Sequence, residues 1–118
     1  MRKGDLTREH IIKHAAGLFN SNGFSGTPVS ELMKITGLKK GGIYNHFKNK
    51  EEILIEAFDF SIKQLLKKLE TVTEVAGTPR TKLINIIEFY RDYPLNPVVK
   101  GGCPVLNAII YSDNTNLM

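Results

Sequence analysis

The sequence has little with which to staple or anchor itself. It carries one cysteine, Cys103, in 118 residues. That excludes an intrachain disulfide framework and a Cys-rich zinc site. A lone thiol fits a reducing compartment, so a cytoplasmic location is expected. No apolar run approaches the ~18 residues needed to span a bilayer, and no membrane role is expected. The opening Met1-Arg2-Lys3-Gly4-Asp5 leads into charged residues rather than an apolar signal segment. Internal repeats and low-complexity tracts are also lacking. No Ser/His/Asp set, phosphate-binding loop or carboxylate pair has workable spacing, so catalysis is not expected and no cofactor is implied.

What is present is an ordinary globular balance, 42% apolar and 24% charged, which argues against wholesale disorder. A chain of this length buries roughly two thirds of its unfolded surface, enough for a modest core. The net charge of +4 is unevenly placed. Residues 1–50 hold nine Lys/Arg against three acids, a net +6, whereas residues 51–118 hold seven against nine, a net −2. A basic front half points to a polyanionic partner for that half.

The hydrophobic periodicity is helical throughout, with no convincing strand. A first helix is expected from about Thr7, as N-cap, to Asn22, with Ile11, Ile12, Ala15, Ala16, Leu18 and Phe19 on its buried face. Gly23 supplies a left-handed ending and Phe24 folds back on Phe19. Thr27-Pro28 opens a second helix, a capping Thr with Pro at the first position. Val29, Leu32, Met33 and Ile35 form its buried face, and Gly37 ends it with Leu38 folded back on Met33. A short helix from Lys40 to His46 follows, anchored by Ile43 and Phe47. Asn49-Lys50-Glu51-Glu52 reads as a capping box for a fourth helix. Leu54, Phe58, Ile62, Leu65, Leu69 and Val72 then make one stripe to about Val75, a length of ~39 Å at 1.5 Å per residue. Thr78-Pro79 opens a fifth helix with Leu83, Ile84, Ile87 and Tyr90 on one face, closed by Pro94 and Pro97. Gly101-Gly102-Cys103-Pro104 starts a last apolar segment, Val105 to Tyr111.

Residues 28–47, helix, Gly turn and short helix, have the form of a helix-turn-helix. In that motif the second helix lies in the DNA major groove and the first crosses the phosphate backbone. The short helix carries the residue types this requires. Lys39, Lys40, Tyr44 and Lys48 can reach phosphates, and Asn45 and His46 can hydrogen-bond base edges. Gly41 and Gly42 each cost about 1 kcal/mol relative to Ala in a helix, but permit close approach of the backbone to a ligand. The plainer reading of the same residues is two amphipathic helices with a solvated basic face.

The run Gly37-Leu38-Lys39-Lys40-Gly41-Gly42-Ile43-Tyr44-Asn45-His46-Phe47-Lys48-Asn49-Lys50-Glu51-Glu52-Ile53-Leu54, with Gly23-Phe24 and Thr27 upstream, resembles the DNA-binding segment of TetR-family transcriptional regulators. The likeness covers about residues 7–55, and Tyr44, His46, Phe47, Lys50 and Glu51 are its most specific part. It implies an all-α fold: residues 1–48 a three-helix DNA-binding domain, 49–76 a linker helix, and 77–118 part of a helical effector and dimerisation domain. By the same likeness, Thr27, Tyr44 and Lys50 match phosphate-contacting positions and residues 39–45 the base-reading stretch. The implied protein is a homodimeric repressor on a palindromic double-stranded DNA operator, released by a small-molecule effector. Lys39 departs from the family, which often has a capping Ser there, and this weakens the cap of the third helix. Gly102-Cys103-Pro104 with Asn107 looks like the opening of helix six in one branch of the family. Members are usually near 200 residues, so the chain is expected to stop short of most of the ligand pocket and dimer bundle.

His10 and His14, spaced i, i+4, could chelate a metal, but no carboxylate companion is evident, so they read as a solvated helix face. Cys103, near a helix N-terminus, could be a redox or effector-sensing thiol; as a small apolar residue it needs no such role. The alternatives to a ligand-released repressor are a redox-responsive repressor using Cys103 and a helical protein-interaction module with no operator.

Overall fold

The computed structural model describes residues 2–74 and 77–115, with side chains to Tyr111. It is all-α: α1 Lys3–Asn22, α2 Val29–Thr36, α3 Lys40–Tyr44, α4 Lys50–Thr73, α5 Pro79–Asp92, a 3-10 turn Tyr93–Leu95, and α6 Pro104–Thr115. No strand occurs among the described residues. One apolar core joins Ile11, Ala15, Ala16 and Phe19 of α1 to Leu32, Ile43, Phe47, Ile53, Leu54, Ala57 and Val99. The α1–α4 contact is the most extensive in the molecule, with α2 and α3 folded across its lower end. Leu32 and Ile43 are each 0% exposed, so one apolar side chain per helix pins the helix-turn-helix onto that base.

The helix ends show where local chemistry and packing disagree. α1 starts at Lys3, a full turn before Thr7, and the Thr7 hydroxyl donates back to the Lys3 carbonyl at 3.1 Å instead of capping. Asp5 in the first turn faces the positive end of the helix dipole and supports the earlier start. Gly23 has φ +77° but an extended ψ of 173°, so α1 closes through a positive-φ glycine that is not in the left-handed helical well. Phe24 does stack on Phe19, with ring centroids 6.1 Å apart. Gly37, at φ 75° and ψ 11°, is the left-handed ending expected for α2.

Thr27 does not cap α2. Its side chain is fully buried, and its hydroxyl donates to the carbonyls of Gly23 at 2.7 Å and Leu18 at 3.3 Å, so Pro28 takes the cap position. Ile35, expected inside, is exposed, while Thr36 turns inward with its hydroxyl on the Leu32 carbonyl at 2.7 Å. α3 closes at Tyr44, and His46 lies in the following turn.

Asn49 caps α4, its side-chain oxygen accepting from the Glu52 N–H at 2.9 Å. The reciprocal half of the box is not formed, because the Glu52 carboxylate lies 4.0 Å from the Arg8 guanidinium. The 24 residues of α4 extend ~36 Å at 1.5 Å per residue; Val75, the expected end, lies outside the described residues. Thr78 caps α5 as expected, accepting from the Thr81 N–H at 3.2 Å. No residue of α5 is buried.

Candidate nucleic-acid interface

The surface of interest is the outer side of α2, the Gly37 turn and α3. It is set by what lies inward. Ile43 and Phe47 face the core, so the residues between and beside them face solvent. Lys39, Lys40, Gly41, Asn45 and Lys48 are exposed, whereas Gly42, Tyr44 and His46 are half-buried. α3 thus presents two exposed lysines at its start and an asparagine at its end, with a third lysine just beyond. Lys39 stands at the N-cap position and makes no side-chain cap bond, leaving its ammonium clear of the backbone.

The two glycines of α3 differ in a useful way. A Cβ on Gly42 would touch Leu38 Cβ at 3.7 Å, an ordinary contact. A Cβ on Gly41 would meet nothing within 4 Å. Neither glycine has a positive φ. The fold therefore gives no steric or conformational reason for Gly41, and the space it keeps clear lies outside the protein.

Partial burial of Tyr44 raises its phenol pKa, with Glu51 nearby adding to the rise. The phenol is thus a neutral hydrogen-bonding group across the physiological range. His46 packs towards the start of α1, where a Cβ on Gly4 would lie 3.8 Å from its ring. Lys50 has a second duty. Its ammonium donates to the Phe24 carbonyl at 2.7 Å and sits 4.1 Å from the centroid of the Phe24 ring. Burial lowers its pKa, against a smaller opposing pull from Glu51. The first residue of α4 therefore ties down the turn between α1 and α2 and keeps its remaining N–H donors for other partners. Thr27 lies beneath this surface, and its hydroxyl is already committed to two carbonyls. As a side chain it is not displayed to a ligand, and it leaves the set of surface contacts.

Arg8 is one of the nine cationic residues of positions 1–50, and nothing in its local sequence marks it out. Its guanidinium lies 4.7 Å from the centroid of the Phe47 ring and pairs with Glu56 and Glu52. The Glu56 hydrogen bond is the main cause raising its pKa, partly offset by desolvation. Arg8 is thus a bracket between α1, α4 and the end of the helix-turn-helix. The available signal was the i, i+4 spacing of Glu52 and Glu56 on α4.

His10 and His14 do not form a simple solvated face. Their rings meet edge to face at 4.6 Å, and His10 Nε2 lies 3.1 Å from the Thr36 carbonyl. Desolvation, then His10, then Lys13 lower the His14 pKa. Among the described residues no group of three or more His, Cys, Asp or Glu could hold a metal. Cys103 is half-buried, just ahead of α6 and remote in sequence from α3. No helix among the described residues is long and apolar enough to cross a membrane.

Comparison with known proteins bears on this geometry. Residues 11–57 match the family described as bacterial regulatory proteins, tetR family. The chain is 40% identical to a TetR transcriptional regulator from Chloroflexus aurantiacus J-10-FL of known crystal structure. The TM-score is 0.93, and the match covers 98% of this chain and 59% of that one. A TetR-family regulator from Cytophaga hutchinsonii gives 38% identity and a TM-score of 0.86, over 98% of this chain and 57% of that one. Among curated relatives, the HTH-type transcriptional regulator AcrR of Shigella flexneri is 34% identical over 87 residues, 70% of this chain and 40% of that protein. The chain spans 27% of another relative, the regulator YerO of Bacillus subtilis, at 35% identity over 78 residues. It therefore covers less than two thirds of the length of each of these proteins. With an N-terminal segment that matches the family description and an all-helical fold that superposes on its solved members, the chain belongs to the tetR family of bacterial regulatory proteins.

Proposed function

We propose that this chain is the DNA-binding portion of a cytoplasmic, homodimeric repressor, with α3 placed in the major groove of a palindromic operator and a small-molecule effector that releases it. Residues 1–48 act as the DNA-binding domain, 49–76 as the linker helix and 77–118 as the opening of the effector and dimerisation domain. Lys39, Lys40 and Tyr44 contact phosphates, and Lys50 adds its remaining donors from the start of α4. Asn45 and His46 address base edges, and Gly41 and Gly42 let the backbone come close. The observation that carries the reading is Gly41, a helical glycine for which the fold has no use, set between exposed lysines and an exposed asparagine.

The test is binding to duplexes taken from the DNA next to the gene, compared with scrambled duplexes over a range of salt. Lys40→Ala and Tyr44→Ala are expected to weaken all duplexes alike, with Lys40→Ala lowering the salt slope by about 1. Asn45→Ala is expected to cost about 1–3 kcal/mol at one or two base positions and little elsewhere. Unchanged duplex affinity in both Lys40→Ala and Tyr44→Ala at moderate salt would remove α3 from the groove.

A further inference from the structure

Arg8 belongs to the basic front half, yet its surroundings do not suit a phosphate ligand. Its guanidinium pairs with the Glu56 carboxylate and lies 4.0 Å from that of Glu52. All three side chains are half-buried, so water screens them less than it screens charges on an open surface. One positive charge beside two negative ones leaves the spot negative, and a phosphate there would be repelled.

The same guanidinium lies 4.7 Å from the centroid of the Phe47 ring. Phe47 is 3% exposed and follows Tyr44 by three residues and Asn45 by two. The seat of Phe47 therefore governs where those two side chains stand. The other end of the helix-turn-helix is held alike. Phe24, ahead of α2, has the Lys50 ammonium 4.1 Å from its ring centroid. One ring at each end of the motif is thus met by a cation from outside it, Arg8 on α1 and Lys50 on α4. Between the ends, Leu32 and Ile43 seat the middle of the motif in the core. A seat at the middle fixes depth, and ties at the ends fix tilt.

We propose that Arg8 is a positioning residue for DNA recognition: it touches no DNA, and by bracketing Phe47 to Glu52 and Glu56 of α4 it sets the tilt of α3 in the groove. The bracket stands on the geometry alone; its consequence for DNA rests on the function proposed above. A planar guanidinium can lie on a ring while its edge donates to carboxylates. Lysine carries the same charge on one compact ammonium and cannot meet both demands. Charge and position can therefore be separated by substitution.

The duplexes are the tightest-binding one from the DNA next to the gene and a scrambled one of equal length. Each variant is measured well below its melting temperature, so a merely stabilising role would move melting and leave affinity alone. Arg8→Lys is expected to lose at least fivefold on the native duplex and less than twofold on the scrambled one, with the salt slope unchanged. Glu56→Gln gives a test of sign. It removes a negative charge from the DNA-binding half, so charge alone predicts tighter binding. Loss of position predicts weaker binding to the native duplex. Wild-type affinity in Arg8→Lys, or tighter native-duplex binding in Glu56→Gln, overturns the proposal. So does an equal loss on both duplexes in Arg8→Ala with a salt slope lowered by about 1, the mark of a phosphate contact.

Hydrogen exchange without DNA reads the bracket directly. In Arg8→Lys it should quicken across α2 and α3 while α1 stays protected. Unchanged exchange in α2 and α3 overturns the bracket. Quickened exchange, with no duplex preference in wild type, would support the bracket and overturn the DNA-binding reading instead.

Discussion

The two halves of the chain are held by different forces. From α1 to the first half of α4, helices are fixed by apolar side chains with almost no exposure: Ile11, Leu32, Ile43 and Ile53 are each 0% exposed. On α5 this grip is missing, and beyond it apolar burial narrows to a few side chains such as Tyr93 and Val99, 5% and 6% exposed. Leu83 and Ile87 on α5 are 58% and 59% exposed, and on α6 Leu106 and Ile109 are each 57% exposed. Polar bonds fasten much of the back half: Asn20, Asn107 and Tyr93 donate to the carbonyls of Gly101 and Gly102, and the Tyr111 hydroxyl donates to the Ser21 carbonyl of α1. An apolar core tolerates no sliding, whereas a handful of hydrogen bonds, each worth about 1 kcal/mol net, can open and close. The front half is built to keep its shape, and the back half is joined to it by a joint that can move.

The largest test of this contrast sets one core residue against one from α5. Ile43→Ala is expected to cost about 2–5 kcal/mol, the usual loss for a buried large-to-small change. Ile87→Ala, on an exposed face, should stay within about 0.5 kcal/mol. Urea unfolding followed by circular dichroism measures both, and equal costs would erase the distinction.

A smaller effect is expected at the joint. Gly101 has φ +102°, and a Cβ there would lie 2.6 Å from Ser21 Oγ and 2.7 Å from its backbone nitrogen. Gly101→Ala should cost about 1–3 kcal/mol of local strain and should open the joint rather than unfold the front half. Hydrogen exchange should then quicken across α6 while α1 stays protected. Uniform loss of protection would show that the two halves do not separate.

The smallest effect is a pH dependence within the front half. The His14 pKa is lowered in the fold, chiefly by desolvation. The unfolded chain therefore binds a proton more readily, and stability declines as pH falls through the ordinary histidine range. Below the folded pKa both states are protonated and this loss is complete. Melting temperature should drop between about pH 7.5 and 5.5, and His14→Gln should flatten that slope. An unchanged slope in His14→Gln would assign it to another group.

The sequence spoke most clearly where one residue both broke a helix and filled a space. Gly37, the Phe19–Phe24 pair, the Asn49 cap and the Thr78 cap could be read because each acts within a few residues of itself. Thr27 misled because a threonine before proline is a cap by local rules, whereas here two carbonyls of α1 claim its hydroxyl. Ile35 and Thr36 misled in the same way, since the buried face of an eight-residue helix is decided by its neighbours and periodicity resolves it poorly. Lys50 was noticed for the right charge, but its bond to Phe24 spans 26 positions and leaves no local trace.

Gly41 sets up a divergence between two kinds of selection. Alanine in that place would gain up to about 1 kcal/mol of helix stability and would strike nothing in the protein. A population of variants sorted only for thermal resistance should therefore drift to alanine at this position. One sorted for gene silencing in cells should hold the glycine and accept the weaker helix, a stability–activity trade-off resting on a single hydrogen atom.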